Sequence, residues 1–249
     1  MSLQQGSLRR LGRGLGFLRP HQLRLRRERC AICAFPWQVR LQDAEMGVRC
    51  LRCGASAVTQ SLADVLGQLP LDLSHADTYE LSAQGPLVGY LRQRCRSLTL
   101  SEYFPDLPLG SIRDGIQCQD VQALTFADAS FDLCTSTEVF EHVEDDLAGF
   151  AEIHRVLRPG GWLVFTVPLH AHGPTQERTA LENGVRKNIL PPEYHADRYR
   201  GAHVFCYRNY GPDIIERLRQ CGFEHAQIRT PQRRLFDFAR AVVCAQKVR

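Results

Sequence analysis

The residues best suited to chemistry stand in two cysteine pairs near the start of the chain. Cys30 and Cys33 form one CxxC pair, Cys50 and Cys53 form another, and 16 residues separate the pairs. Two residues between cysteines allow both thiolates to reach one tetrahedral ion, and four thiolates complete the coordination of Zn²⁺. The spacing therefore predicts a structural zinc site in a ribbon over residues 30–60. The alternatives are unrelated reduced cysteines and a redox pair, although redox CxxC motifs usually occur singly.

A helix is predicted between this ribbon and the rest of the chain. Apolar residues from Leu62 to Leu69 repeat at helical spacing, Ser61 is a candidate N-cap, and Pro70 stops the pattern. A ribbon of this size has little core, so bound metal would supply much of its folding free energy. The linking helix therefore belongs to a separate segment, residues 61–76.

The composition is that of a globular protein. The chain has 249 residues, of which 44% are hydrophobic and 23% are charged, which suits one substantial domain and a small one. It has no apolar run of about 18 residues, so no membrane span is expected. Ten cysteines without an export signal indicate a reducing compartment and predict a cytoplasmic location.

Basic charge is concentrated at the N-terminus. Residues 1–29 contain eight arginines and one acid, whereas the rest of the chain has 23 basic and 26 acidic residues. The main body is therefore not a nucleic-acid binder by composition. The sequence predicts a basic N-terminal arm over residues 1–29, and a solvated arm is favoured over one that grips nucleic acid.

A strand–helix–strand pattern organises the centre of the chain. Phe131–Ser136 is a short apolar run typical of a buried strand, and residues 144–157 follow with acids first, arginine near the end and one apolar face. Residues 158–161, with the sequence RPGG, stop that helix, and Trp162–Val167 is a second apolar run. Two parallel strands joined by a helix form a right-handed βαβ unit.

The same residues carry a family resemblance. The segment FADASFDLCTSTEVFEHV followed by EIHRVLRPGGWLVFTVP resembles the second half of a class I S-adenosylmethionine-dependent methyltransferase of the type 11-like group, here with an N-terminal four-cysteine zinc ribbon. The resemblance extends over roughly Asp77 to Val248. It implies a Rossmann-like α/β domain over residues 77–249, with a seven-stranded, mostly parallel sheet, an antiparallel last strand and an acceptor-side insertion over residues 169–208.

The loop after the first predicted strand departs from the family pattern. An acid followed by three glycines at alternate positions is usual there, but Ser82, Gln84 and Pro86 occupy the glycine positions behind Glu80. Small residues let the backbone approach a ligand, and proline is tolerated in the first turn of a helix. The resemblance implies that this loop presents amides to the methionine end of the cofactor. The alternative is a loop that has lost the cofactor.

The other strand ends supply the remaining cofactor contacts. Glu102 matches the acid that accepts hydrogen bonds from both ribose hydroxyls, and Tyr103 would pack against adenine. Asp120 and the Val121 amide match the acceptor and the donor that an adenine edge requires. The resemblance thus assigns S-adenosylmethionine to Glu80, Ser82, Ala83, Gly85, Glu102, Tyr103, Asp120, Val121, Thr135 and Ser136.

Three histidines are candidates for a general base. His142 follows the fourth strand, while His170 and His195 stand in the insertion, where His, Tyr and Arg cluster. Imidazole can take a proton from a hydroxyl near neutral pH, but His142 could equally hold its loop by hydrogen bonds. The pair formed by His170 and His172 is a weak signal for a second metal site.

These features predict methyl transfer from S-adenosylmethionine to a hydroxyl of a small-molecule or glycan acceptor. One alternative is an RNA methyltransferase that uses the ribbon and the basic arm, and the acidic body makes nucleic acid the less favoured partner. The other is a non-catalytic zinc-binding protein whose altered loop no longer holds the cofactor.

Overall fold

The chain divides into two compact units. The structure is a computed structural model that describes residues 20–197 and 201–248, so residues 1–19 of the predicted arm lie outside it. Unit 1 runs to Gln68 and also includes Thr230–Arg240, and unit 2 contains Leu69–Arg229 and Ala241–Arg249.

Unit 1 is a three-stranded antiparallel sheet followed by a helix. Strand β1 is Arg24–Arg27, β2 is Trp37–Arg40 and β3 is Val48–Cys50, in the spatial order β1-β2-β3. Helix α1 is Ala57–Leu66 and begins before the predicted Ser61 cap. The cap is Ser56, whose hydroxyl oxygen accepts the Thr59 N–H at 3.1 Å.

A segment distant in sequence completes unit 1. The side chain of Leu235 is buried beside Val48 and Ala57, with Phe236 and Phe238 packed against them. The expectation of an uninterrupted domain from residue 77 to the end of the chain therefore changes. Residues 230–240 group with the N-terminal unit because their apolar side chains supply part of its core.

The described residues of unit 2 form three α-helices and many strands. Helices α2 (Pro86–Arg92), α3 (Asp146–Val156) and α4 (Ile214–Gln220) join strands of one large sheet. The strands are, in chain order, β4 (Asp77–Glu80), β5 (Ser97–Glu102), β6 (Ile112–Arg113), β7 (Ile116–Cys118), β8 (Phe131–Thr137), β9 (Leu157–Thr166), β10 (Gln176–Glu177), β11 (Thr179–Glu182), β12 (Val185–Asn188), β13 (Tyr194–Asp197), β14 (Gly201–Phe205), β15 (Arg208–Asn209), β16 (His225–Arg229) and β17 (Val242–Gln246).

The large sheet has the spatial order β16-β17-β9-β8-β4-β5-β7-β6. Strands β4, β5, β7, β8 and β9 pair in parallel, and β17 runs antiparallel to both of its neighbours. This confirms the predicted mostly parallel sheet with an antiparallel last strand. The two-residue β6 adds an eighth strand at one edge. None of the described helices is long and apolar enough to cross a membrane.

The RPGG segment lies within β9. Leu157 pairs with Phe131 and Trp162 pairs with Leu133, so the intervening residues 158–161 bulge out of the ladder. Gly161 fits this bulge because a Cβ there would come within 2.8 Å of the Arg158 carbonyl oxygen. The sequence predicted a turn before the strand, and the structure instead gives a longer strand with a bulge.

The predicted insertion consists of short antiparallel pairs. Strands β11 and β12 form one hairpin, β13 and β14 form another, and β10 pairs with β15. A buried ionic group fixes this region: the Arg208 guanidinium is 4% exposed and lies 3.7 Å from Asp146, and it donates to the Glu144 carbonyl at 2.7 Å. Arg217 also pairs with Asp146. The insertion is thereby tied to the loop before α3.

Candidate cofactor and acceptor pocket

A cavity of about 590 Å³ opens at the carboxyl ends of β4, β5, β7 and β8. Open α/β sheets bind ligands at this edge, where the loops leave the strands. Of the predicted cofactor residues, the cavity is lined by Ser82, Gly85, Glu102, Tyr103, Asp120 and Val121.

Glu102 ends β5 and faces this cavity. Its carboxylate accepts the Ala83 N–H at 2.9 Å and the Ser82 hydroxyl at 3.3 Å. The acid and the loop after β4 are therefore in direct contact, although they belong to different strands. A carboxylate held in this way can accept hydrogen bonds from vicinal hydroxyls on a ligand.

Asp120 follows β7 and is oriented by the next turn. Its carboxylate accepts the Gln122 N–H at 2.9 Å and the Gln122 side-chain amide at 3.0 Å. The Gln122 amide oxygen in turn accepts the Asp145 N–H at 2.8 Å, at the start of α3. Asp120 and Val121 both line the cavity, so a carboxylate acceptor and an adjacent backbone stand at one wall.

The altered loop after β4 remains open to the cavity. Gly85 has a φ of 108°, a backbone conformation that favours glycine, and no atom lies within 4 Å of the place where a Cβ would stand. Pro86 is the first residue of α2, where a missing N–H costs nothing. The one glycine of the loop therefore stands where the backbone requires it.

His142 and residues of the insertion form another wall of the cavity. His142 ends a short 3₁₀ helix, Phe140–His142, and its Nδ1 donates to the Phe205 carbonyl at 2.9 Å. This hydrogen bond favours the tautomer with an unprotonated Nε2. Phe205 and Tyr207 line the cavity beside His142, and their rings are 5.0 Å apart in an edge-to-face arrangement. The wall therefore combines an ionisable ring with two aromatic surfaces.

Part of the chain that forms this cavity matches a known protein family. The family model described as a methyltransferase domain matches residues 52–165. These residues contain α1, β4 to β8 and most of β9, and with them Glu102 and Asp120 at the cavity wall. The chain contains a methyltransferase domain over these residues.

Relatives of this methyltransferase domain match only part of the chain. The bifunctional biotin biosynthesis protein BioHC of Teredinibacter turnerae is 40% identical over 111 residues, which are 41% of this chain and 20% of that protein. The malonyl-[acyl-carrier protein] O-methyltransferase of Erwinia billingiae is 42% identical over 53 residues, or 21% of each chain. The chain thus spans about a fifth of the length of the curated relatives it matches.

A solved structure supports the fold of the methyltransferase domain. The 1,6-didemethyltoxoflavin-N1-methyltransferase of Burkholderia thailandensis, determined with 1,6-didemethyltoxoflavin and S-adenosylhomocysteine, superposes with a TM-score of 0.52 at 18% identity. The superposition covers 78% of this chain and 79% of that one. At this identity the likeness concerns the fold.

Four residues predicted to touch the cofactor do not line the cavity: Ala83, whose N–H donates to Glu102, and Glu80, Thr135 and Ser136. Glu80 is 1% exposed, and its carboxylate accepts a hydrogen bond from the Thr135 hydroxyl. Burial raises the pKa of Glu80 to about 8, and the nearby Glu102 carboxylate adds to the effect. Thr135 and Ser136 are fully buried, and the cavity is lined instead by Thr137, at the end of β8. The predicted convergence of Glu80 with Glu102 and Asp120 is therefore not what the geometry shows.

Two of the candidate histidines do not line the cavity either. The Nδ1 atom of His170 contacts the carbonyl oxygen of His172 at 2.7 Å, within its own turn. The ring of His195 lies against that of His142 with the ring centroids 4.9 Å apart. Among the three histidines, the structure brings His142 to the cavity and places His195 directly behind it.

Sequence reasoning missed several residues of the cavity wall. Glu138 lines the cavity with a φ of 54°, a conformation in which most side chains are strained. Gln122 and Glu144 also line it, as does Tyr207 from the insertion. Glu138 and Glu144 could have been proposed from the sequence, because they lie on either side of the EHV motif at residues 141–143. No sequence periodicity indicated Tyr207.

The four N-terminal cysteines converge in unit 1. The sulfur atoms of Cys30 and Cys53 are 3.6 Å apart, as are those of Cys33 and Cys50, and all four lie within 4.8 Å of one another. Zn–S bonds of about 2.3 Å place tetrahedral sulfur atoms roughly 3.8 Å apart. The thiols are thus arranged as a tetrahedral ion requires.

Proposed function

We propose that this protein transfers a methyl group from S-adenosylmethionine to a hydroxyl of a small-molecule or glycan acceptor. One observation carries the proposal: a single cavity is lined by Glu102 and Asp120 and also by His142 with its two aromatic neighbours. The first pair suits the ribose and adenine of the cofactor. The second set suits a polar acceptor with a ring. Both substrates of a methyl transfer would therefore share one space.

The contacts within the cavity support the cofactor part of the proposal. The ribose hydroxyls would replace the loop groups that now bond to Glu102, namely the Ala83 N–H and the Ser82 hydroxyl. Both loop groups would then be released toward the methionine end of the cofactor. Such an exchange costs little, because each hydrogen bond is replaced by another.

The reaction places few demands on the protein. The sulfonium of S-adenosylmethionine is already a good leaving group, so alignment of the acceptor oxygen with the methyl carbon provides most of the acceleration. His142 is the candidate histidine that reaches the cavity, and its neutral Nε2 can accept the proton of a hydroxyl. The matched relative from Erwinia billingiae carries the name of an O-methyltransferase, which agrees with oxygen as the acceptor atom.

The four cysteines of unit 1 would hold a structural zinc ion. Four thiolates leave no open coordination position, and the sulfur distances fit the ion. Binding must displace thiol protons, so zinc affinity should fall as the pH is lowered. Metal analysis of the purified protein tests this assignment, and a chain that holds no zinc after purification in a reducing buffer would contradict it.

Methyl transfer is tested directly with radiolabelled S-adenosylmethionine and a panel of acceptors. The panel should include monosaccharides, glycans, catechols and RNA. Transfer to a hydroxyl-bearing small molecule or glycan is expected, and His142→Ala should reduce kcat by about 10²-fold or more. His75→Ala, an exposed histidine outside the cavity, serves as the control. Transfer to RNA alone would overturn the choice of acceptor.

A further inference from the structure

A second group of metal-ligating side chains lies behind the cavity wall. His142, His195 and Cys206 offer ligand atoms that all lie within 4.8 Å of one another. They come from three places in the chain: the 3₁₀ helix after β8, strand β13 and the residue after β14. We propose that these three side chains, together with Glu141, bind one divalent transition-metal ion of the zinc class.

The histidine ring nitrogens are arranged as in metal sites. A metal-bound histidine usually donates its other ring N–H to a carbonyl or carboxylate, which fixes the tautomer. The Nδ1 of His142 donates to the Phe205 carbonyl at 2.9 Å, which leaves Nε2 for an ion. The Nε2 of His195 lies 3.2 Å from a Glu193 carboxylate oxygen, which leaves Nδ1. Each ring therefore has an outer partner and one inward nitrogen.

The two inward nitrogens face the same carboxylate oxygen. Glu141 Oε1 is 3.7 Å from His142 Nε2 and 4.0 Å from His195 Nδ1. Around a tetrahedral zinc ion with bonds of about 2.0–2.2 Å, neighbouring nitrogen and oxygen ligands are roughly 3.4 Å apart. The side chains would need to close by a few tenths of an ångström. A cation there would also neutralise Glu141, which is 2% exposed.

Cys206 adds a thiol to the two histidines, which a simple ion pair between histidine and Glu141 would not need. Its side chain is buried, and its sulfur lies 3.7 Å from His142 Nδ1, on the outer side of that ring. All three ligand atoms lie within 4.8 Å of one another, and rotation of the thiol toward Nε2 would complete the set. Imidazole and thiolate together favour zinc-class ions over magnesium or calcium, which prefer oxygen ligands. A set of two histidines, one cysteine and one carboxylate therefore points to Zn²⁺ or Co²⁺.

The ion would lie at the cavity wall because His142 lines the cavity. Its role in the reaction rests on the proposed function, whereas its binding does not. In this role His142 would be a ligand and not the base: the acceptor hydroxyl would displace Glu141 from the ion and release its proton to that carboxylate, since a bound cation makes a hydroxyl more acidic. The oxygen–carbon bond would form as the carbon–sulfur bond of the cofactor breaks, which leaves a neutral thioether.

Metal stoichiometry of the full chain tests the site. Wild type and variants are loaded with Zn²⁺, dialysed against metal-free buffer and analysed for zinc per chain. His195→Ala and Cys206→Ser are each expected to hold one ion fewer than wild type. Two matched controls, His170→Ala from the same insertion and Cys221→Ser, should hold the wild-type number. The result is the difference in zinc per chain between each variant and wild type. Zinc bound by the four cysteines is common to all samples and does not affect this difference.

The proposal is overturned if His195→Ala holds as much zinc as wild type. His195 is 38% exposed in its side chain, so this variant decides the matter even if Cys206→Ser fails to fold, which circular dichroism would reveal. S-adenosylhomocysteine binding is measured on the same samples. Loss of cofactor binding with an unchanged zinc difference would count against the proposed function and leave the metal site standing.

Discussion

The two walls of the cavity are built in different ways. The wall that contains Glu102 and Asp120, here called the cofactor wall after the proposed function, joins strand ends that are near one another in sequence, as the 2.9 Å hydrogen bond from the Ala83 N–H to Glu102 illustrates. The wall formed by His142, Phe205 and Tyr207, here called the acceptor wall, joins distant segments, as the 2.9 Å hydrogen bond from His142 to the Phe205 carbonyl shows. Parallel strands bring their ends together wherever the fold forms. The acceptor wall instead depends on individual contacts between segments that are distant in sequence.

The walls also differ in how they are held. On the cofactor side, carboxylates are oriented by nearby backbone N–H groups, as at Asp120. On the acceptor side, a buried group of charges around Asp146, Arg208 and Arg217 ties the insertion to the loop before α3. Buried ion pairs add little net stability, but losing one partner leaves a costly charge. Changes at the two walls should therefore affect separate properties, namely cofactor affinity and acceptor use.

The largest effect is expected at Glu80, which is buried outside the cavity lining, whereas Glu102 and Asp120 line the cavity. Its pKa of about 8 in the folded chain exceeds the unfolded value of about 4.3, so the folded state favours the protonated form. The stability that Glu80 contributes is complete below about pH 4 and is lost as the pH rises toward 8. Glu80→Gln should gain about 2–4 kcal/mol relative to wild type between pH 5 and pH 8. Urea unfolding across this range measures the difference, and parallel pH profiles for the two proteins would contradict it.

A smaller effect is expected at Glu102, on the cofactor wall. Glu102→Gln replaces a charged acceptor of two ribose hydrogen bonds by a neutral one, which should weaken S-adenosylhomocysteine binding about 10- to 100-fold. Calorimetry measures the change. Asp128→Asn, which removes an exposed carboxylate paired with Arg155, should bind like wild type. Equal affinity for Glu102→Gln and this control would remove Glu102 from the site.

A change at Asp120, on the same wall, should have a weaker effect on cofactor affinity. Asp120→Asn keeps one oxygen acceptor for an adenine amino group but loses the charge, so an affinity loss of roughly 10-fold is expected. The variant should also change base preference, which competition between adenosine and inosine analogues of the cofactor reveals. Unchanged affinity together with unchanged preference would place adenine elsewhere.

The smallest effect is expected on the acceptor wall. Tyr207→Ala removes an aromatic surface that lines the cavity, and it should raise KM for the acceptor about 5- to 10-fold. Cofactor affinity should remain within about 2-fold, because the two walls are held by separate contacts. Tyr207→Phe keeps the ring and serves as the matched control. A loss of cofactor affinity in Tyr207→Ala would show that the walls are not independent.

Much of the cofactor wall could be predicted from the sequence, because its residues follow strands. Glu102 and Asp120 stand at or just after the ends of predicted strands, and their approach follows from the sheet. The position of Glu80 outside the cavity lining has a physical reason. Side chains along a strand alternate between two faces, and a strand buried on both faces gives no pattern that tells them apart. Tyr79 and Leu81 line the cavity, while Glu80 between them does not.

The acceptor wall could not be predicted in the same way. The insertion contains short hairpins without helical or alternating apolar patterns, so the sequence did not indicate which residues turn inward. His142 was a candidate because it follows a strand, but its partner Phe205 is 63 residues away. The four-cysteine site shows the opposite case, since CxxC spacing alone fixes its local geometry.

Calorimetric titration of the full chain with S-adenosylhomocysteine tests the central claim most directly. The cavity with Glu102 and Asp120 at one wall predicts saturable binding of one ligand per chain, weakened by Glu102→Gln and unaffected by Asp128→Asn. No heat at high micromolar ligand would mean that the altered loop from Ser82 to Pro86 has lost the cofactor, and the methyl-transfer account would then fail.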